Sequence, residues 1–505
     1  MTSHDVIVVG GGTAGSVLAA RLTERDDLRV LLIEAGSEEP LPEMAVPPAW
    51  PGLTLSAASW GDLTVPQGPT GSTTPLPRGR GLGGGSSINA MVFARGHHSS
   101  YESWADAGAK SWRFEDLMPY FMRTESAVDR DPALRGRGGP LTVAPAEPVN
   151  PVLAAALDAA VETGQRRAGD ISGGLEEGFG PVDLNIVGGT RQSAADAYLR
   201  PVLDRPNLSV VSDALVHRLV IDKGRATGVD YSVGGRTESA SAAEIVIAAG
   251  AIGSAQLLML TGIGPADHLR EHGIEVVADL PGVGTGLQDH PIANVVYHSA
   301  QPVPTPRNNH GEVIGLVRSR DGLPGPDLQL IFIDLARPVA GFAGPEPGSG
   351  YTIGVSVMSP HSRGTVRLAD ARPGSAPLID PNYYGDSRDL DAVVAGLRLA
   401  RRIGRAPALD RWRDVEAAPG PATEDEAQLR GYARATVASY CHPVGTLAMG
   451  DGRDAVVDTE LRLRGIEGVR VVDASVMPAI PSGNTNATVY AIAERGAELI
   501  LDSLD

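Results

Sequence analysis

The run Gly10-Gly11-Gly12-Thr13-Ala14-Gly15 constrains this chain more than any other feature. It has the spacing G-x-G-x-x-G and sits between an apolar stretch, Asp5–Val9, and a segment, Ala14–Glu24, whose apolar residues recur at helical spacing. A second apolar run, Val30–Ile33, follows and ends at Glu34. Strand, glycine loop, helix and strand make a βαβ unit. Gly10 permits the tight turn, Gly12 lets main chain approach a pyrophosphate, and Gly15 lets helix and strand pack closely. The helix start offers unpaired N–H groups and a positive dipole end to phosphates. A carboxylate at Glu34 accepts hydrogen bonds from ribose hydroxyls and repels a 2′-phosphate. The loop implies a bound dinucleotide but does not separate FAD from NAD.

Beyond the loop, residues 36–78 are rich in Pro, Gly, Ser and Thr and read as a long excursion. Ser103–Glu125, Val152–Thr163, Leu390–Arg405 and Ala487–Leu501 read as helices. Leu208–Val211, Val216–Asp222, Gly228–Val233, Ile245–Ala249, Gly354–Met358 and Gly364–Leu368 read as strands. The stretch 301–350, dense in Pro and Gly, shows no regular period. Ile245–Gly264 carries no charge, long enough to raise a membrane span. Gly250, Gly253, Gly262 and Gly264, with Pro265 behind them, favour a strand, a turn and a buried helix instead.

Charge narrows the partners. A formal net charge of -18 and a pI near 5.1 argue against nucleic acid or an anionic membrane surface. One cysteine, Cys441, excludes an intrachain disulfide and fits a reducing compartment. The start has no basic stretch leading into an apolar one. A cytoplasmic protein without a membrane span is expected.

Further blocks settle the cofactor. Arg78-Gly79-Arg80-Gly81-Leu82-Gly83-Gly84-Gly85-Ser86-Ser87-Ile88-Asn89-Ala90-Met91 resembles the first signature of the glucose–methanol–choline (GMC) oxidoreductases. Gly250-Ala251-Ile252-Gly253-Ser254-Ala255 through Thr261-Gly262-Ile263-Gly264 resembles the second, with Thr261 where serine is usual. His442-Pro443-Val444-Gly445-Thr446, Asp473-Ala474-Ser475-Val476-Met477-Pro478 and Asn484-Thr485-Asn486 resemble the family's closing blocks. The resemblance implies FAD. By it, Thr13, Ala14, Glu34, Ala35 and Val216 contact the ADP half. Trp60, Asn89, Ala90, Met91, Val92, Asp473, Ala474, Asn484 and Thr485 lie along the ribityl and isoalloxazine half. The small residues around Gly84 let main-chain N–H groups reach a flavin. Ile88 stands where some members attach FAD through a histidine, so FAD is expected to be non-covalent.

The implied architecture is α/β, α+β overall. A Rossmann-like FAD-binding domain of residues 1–145, 190–295 and 435–505 would carry an inserted substrate-binding domain, 146–189 and 296–434, with an antiparallel sheet.

Oxidising an alcohol needs a base for the hydroxyl proton and an acceptor for the α-hydrogen. His442 aligns with the family's catalytic histidine, and Asn484 with its second active-site position. The implied substrate is a small alcohol, with molecular oxygen or another electron acceptor closing the cycle. Lyases that keep FAD as structure and light-driven decarboxylases are the rival chemistries on this fold. The other histidines read as structural, His290 included. His97-His98 lacks the Cys or acid cluster of a metal site. Cys441 reads as packed near the flavin.

Overall fold

The computed structural model describes residues 3–67 and 71–504. Its first core is a seven-stranded sheet. Strand β1 (Ser3–Val9) leads through helix α1 (Thr13–Leu22) to β2 (Val30–Ile33). Much later come β3 (Leu208–Val211), β4 (Ala214–Asp222), β5 (Arg225–Val233) and β6 (Arg236–Ile247). Helix α2 (Gly250–Leu260), strand β7 (Val469–Val471) and helix α3 (Asn486–Leu504) complete the core. The order is β3-β2-β1-β6-β5-β4, and β7 pairs with β6. β3, β2, β1, β6 and β7 run parallel, while β4 and β5 are antiparallel. The parallel strands are almost wholly apolar because both faces are covered. Val6, Ile7, Val8, Val30, Leu32, Ile245, Val246 and Ile247 are fully buried.

A second sheet is antiparallel throughout. Its order is Arg413–Ala418, Pro291–Ser299, Gly350–Val357, Leu328–Ile333, Val313–Val317, Gly178–Pro181, with Ala438–Ser439 on Pro291–Ser299. Alternation gives it two faces. Ala293, Val295, Leu328, Leu330, Ile353 and Val355 pack in one core with helices Ser387–Gly404 and Pro151–Glu162. Gly396 permits that packing, since a Cβ there would stand 2.4 Å from Val355. The other face carries Ile292, Asn294, Gln329, Ile331 and Ser356, and it is the face that builds the site.

Three readings change. Ser103–Glu125 is not one helix but two, His98–Asp106 and Phe114–Thr124. Gly108 parts them: its φ is +97°, and a Cβ would meet Asp451. The stretch 301–350 contains two fully buried strands, Val313–Val317 and Leu328–Ile333. Ile245–Gly264 is strand end, turn and α2, and no helix among the described residues is long and apolar enough to cross a membrane.

An ionic cluster is buried around Arg135. Arg135 bonds Glu125 at 2.8 Å, Asp170 at 2.8 Å and Asp183 at 2.7 Å, and Arg95 also pairs with Glu125. Removing one partner would strand a buried charge.

Candidate active site and cofactor cradle

The glycine loop has the predicted geometry. Gly10 takes φ +103°, and a Cβ on Gly15 would lie 1.8 Å from the Gly10 carbonyl oxygen. Gly12 and Gly84 face each other across the two glycine-rich segments: a Cβ on Gly84 would be 2.7 Å from Gly12 Cα. Around Gly12 and Gly85 the space is otherwise open. α1 begins with no side-chain cap and no acid in its first turn, so the N–H groups of Thr13, Ala14 and Gly15 are left for an anion. These features fit a pyrophosphate.

Glu34 binds main chain. Its buried carboxylate accepts N–H bonds from Gly11 at 2.7 Å, Gly36 at 2.8 Å and Gly81 at 3.0 Å. It therefore ties the first glycine loop to the second. Burial pushes its pKa up, against the pull of those three donors. The neighbouring Ala35 carbonyl accepts from Arg80 at 3.3 Å, and β4, which holds Val216, starts at Ala214, whose N–H bonds the Glu34 carbonyl. Trp60, which the resemblance put along the isoalloxazine half, has the guanidiniums of Arg78 and Arg80 each 5.2 Å from its ring centroid, and Arg80 reaches the Ala35 carbonyl, so the ring stands nearer Glu34 and Ala35.

The turn Asn89–Val92 is clamped from several sides. The Asn89 Oδ1 accepts the Met91 N–H at 2.9 Å and Arg191 Nη1 at 2.8 Å. Asn309 Nδ2 donates to the Ala90 carbonyl, and Asn185 N–H to that of Met91. Met91 sits at φ +55°, a region costly for a side chain this large. Val92 then pairs with Leu184. Ile88, buried beneath the turn, has no nitrogen to bond a flavin.

The Asp473 side chain is spent within the protein. Its carboxylate accepts from Gly250 N–H at 2.8 Å, Ser475 N–H at 2.8 Å, and the hydroxyls of Ser254 and Ser475. It joins the start of α2 to the turn that follows β7, and burial raises its pKa. That leaves backbone, with Ala474 and Thr485, to meet a cofactor on this side. Thr13 Oγ1 donates to Asn486 Oδ1 at 3.0 Å, which brings the starts of α1 and α3 together.

His442 and Asn484 do meet. Asn484 Nδ2 is 3.3 Å from His442 Nε2, and Gln329 Nε2 donates to Asn484 Oδ1 at 3.4 Å. On the far side of the ring, His442 Nδ1 is 2.9 Å from His290 Nδ1. His290 Nε2 faces the Met358 carbonyl at 3.2 Å. A carbonyl only accepts, so His290 Nε2 carries the proton. Its Nδ1 is then bare and accepts from His442 Nδ1–H. His442 Nε2 is left with its lone pair towards Asn484. Burial holds His442 down to about 3 and drives His290 well below the usual histidine range, so both rings are neutral. Asp289 anchors the pair from behind. It accepts the backbone N–H of His290 and His442 at 2.9 and 2.8 Å, with the hydroxyls of Tyr383 and Ser439.

His290, read from the sequence as structural, is hydrogen-bonded to His442. Gln329 was missed with its strand. Cys441 precedes His442, and burial pushes its thiol up to about 12, unfit for nucleophilic work. No group of three His, Cys, Asp or Glu side chains among the described residues could hold a metal ion.

The cradle and the histidine–amide pair define a flavin-dependent alcohol-oxidising enzyme, and comparison with known proteins agrees. The N-terminal GMC oxidoreductase pattern matches residues 4–292 and the C-terminal pattern residues 360–493. The chain belongs to the GMC oxidoreductase family, binds FAD non-covalently, and is an oxidoreductase of CH–OH donors. It is 37% identical to an oxygen-dependent choline dehydrogenase of Brucella canis, over 98% of this chain and 95% of that one. It is 36% identical to the Vibrio vulnificus oxygen-dependent choline dehydrogenase, over 99% and 94%. Its fold superposes on pyridoxine 4-oxidase from Mesorbium loti with a TM-score of 0.95 at 36% identity, covering 98% and 99% of the chains. A formate oxidase structure gives a TM-score of 0.91 at 27% identity, covering 99% and 98%.

Proposed function

We propose that His442 is the base that takes the hydroxyl proton of an alcohol, and that Asn484 donates its amide N–H to the same oxygen. The observation that carries this reading is the directed hydrogen-bond chain from Met358 through His290 and His442 to Asn484. It fixes the tautomer that leaves Nε2 bare, where a hydroxyl can lie between imidazole and amide. Gln329 orients the amide by holding its oxygen. FAD, when bound, supplies the acceptor for the hydride that leaves the α-carbon. Gly10, Gly12, Thr13, Ala14, Gly15, Glu34, Ala35 and Val216 would hold its ADP half, and Gly84, Asn89–Val92, Asp473, Ala474 and Thr485 the rest. The first sheet serves as cofactor unit and the second as substrate wall.

Anaerobic mixing of the yellow FAD-loaded protein with a panel of alcohols tests the reading. Bleaching supports it. No bleaching across the panel overturns it in favour of lyase or other non-oxidising chemistry. Peroxide formed during turnover in air shows whether oxygen is the acceptor.

A further inference from the structure

One buried cation is bonded to the flavin turn and has no counter-ion. Arg191 ends the short hairpin Ile186–Val187/Thr190–Arg191 and is 4% exposed. Its guanidinium reaches three segments. Nη1 donates to Asn89 Oδ1 at 2.8 Å and to the Ser86 carbonyl at 3.1 Å, and Nε donates to the Met44 carbonyl at 3.0 Å. Arg191 thus brackets the turn Asn89–Val92, the short helix Gly85–Ile88 before it and the helical turn Pro42–Ala45. All three acceptors are neutral. Nη2 is buried with no partner.

The other buried arginines differ. Arg95 and Arg135 pair with Glu125, Arg401 with Glu416 and Arg470 with Glu244. Among the described residues no carboxylate pairs with Arg191. The Asp196 carboxylate, the nearest acid along the chain, is exposed and bonds Ser193 and Arg200. Burial lowers the Arg191 pKa to about 10, which leaves it charged at neutral pH. A buried charge among neutral acceptors, with an N–H group unmet, is costly to keep. Hydrogen bonding alone does not explain it, since a neutral amide also donates to a carbonyl oxygen.

The reaction gives that charge a use. An alcohol loses its α-hydrogen as hydride, which is two electrons and one proton, and its hydroxyl proton goes to the base. The carbonyl product is neutral, so FAD gains one negative charge with the hydride. We propose that Arg191 sets the electron affinity of bound FAD: its uncompensated charge, held against Asn89–Val92, favours the negative charge that reduction adds. The inference rests on the reading above that this turn lines the flavin. Arg191 is a positioning residue. It acts through the turn that it brackets and through its field, which a buried site screens little.

The test reads the flavin of the FAD-loaded protein with no alcohol present. Sulfite adds to oxidised flavin and leaves an anionic adduct, so its affinity reports the same charge. Arg191→Gln and Arg191→Met should weaken sulfite binding roughly tenfold or more and lower the midpoint potential by about 30 mV per tenfold, the conversion for a two-electron couple. Arg191→Lys should stay within about threefold of the native protein, since it keeps the charge and loses the planar fork. A native potential at or below that of free FAD overturns the inference without any variant. So does Arg191→Gln at the native potential, or Arg191→Lys falling as far as Arg191→Gln, which would leave Arg191 a bracket only. Lost FAD affinity with an unchanged potential in the bound fraction would assign the charge to the phosphates, and overturns it too. With an unchanged potential, a native flavin spectrum in Arg191→Gln also removes the placement of the turn, whereas an altered spectrum removes only the role of the charge. None of these readouts depends on which group takes the alcohol proton.

Discussion

The Nδ1 atoms of His290 and His442 lie 2.9 Å apart, and only one of them can carry the shared proton. The Met358 carbonyl on the other side of His290 decides which. His290→Ala should leave FAD bound but free His442 to swap tautomers, slowing flavin reduction roughly tenfold or more. His442→Ala should cost roughly 10²–10⁴, the usual worth of a positioned base. Adding His290→Ala to His442→Ala should cost almost nothing further, because His290 acts through His442. Stopped-flow rates of the four proteins check this. Additive losses would mean His290 touches the substrate by itself.

The pH profile follows from the same pair. His442 works as the neutral base, and burial places its protonation near pH 3. A folded pKa below the unfolded 6.5 means activity and stability are present at neutral pH and lost as pH falls. The rate of flavin reduction at saturating alcohol should be flat from about pH 5 to 9. Stability should begin to drop below about 6.5, by up to about 1.4 kcal/mol per pH unit for each buried histidine. Rate and denaturant titrations at matched pH values read both. A rate midpoint near 6.5 would contradict the burial of His442.

Asn484→Ala removes the second donor to the substrate oxygen and leaves the FAD contacts of the glycine loops in place. Flavin reduction should fall roughly 10²-fold, the lower end for loss of one such donor. The FAD content of the purified variant should match the native protein. Reduction at native speed would take Asn484 out of the reaction.

Glu34→Ala should weaken FAD binding, and it should also soften the apoprotein. The carboxylate holds three backbone N–H groups, and hydrogen bonds to a charged group contribute about 1.5–3 kcal/mol each. The apoprotein should melt several degrees lower, by thermal scan of FAD-stripped samples. An unchanged apo Tm with lowered FAD affinity would confine Glu34 to ribose binding.

What the sequence made legible was local. The loop Gly10–Gly15, Glu34 at the strand end, and the paired blocks around His442 and Asn484 are short and carry their geometry in consecutive residues. The first sheet followed from them. His290 stayed hidden because its role depends on strand Pro291–Ser299 lying beside Ala438–Ser439, a pairing of distant segments. Gln329 was lost with its strand: the apolar runs Val313–Val317 and Leu328–Ile333 are short, and flanking Pro and Gly masked them. Asp473 was read as a cofactor neighbour, and nothing local reveals that its carboxylate is spent on two chain turns.

The bond from Thr13 to Asn486 spans 473 positions, and β1 and β7 flank β6 from opposite ends of the chain. The start of α1 is therefore secured by a residue 473 positions further along the chain, so cofactor capture is expected to require the segment that holds Asn486. Nascent chains stalled before Asn486 should show no flavin fluorescence change with FAD, and released full-length chains should.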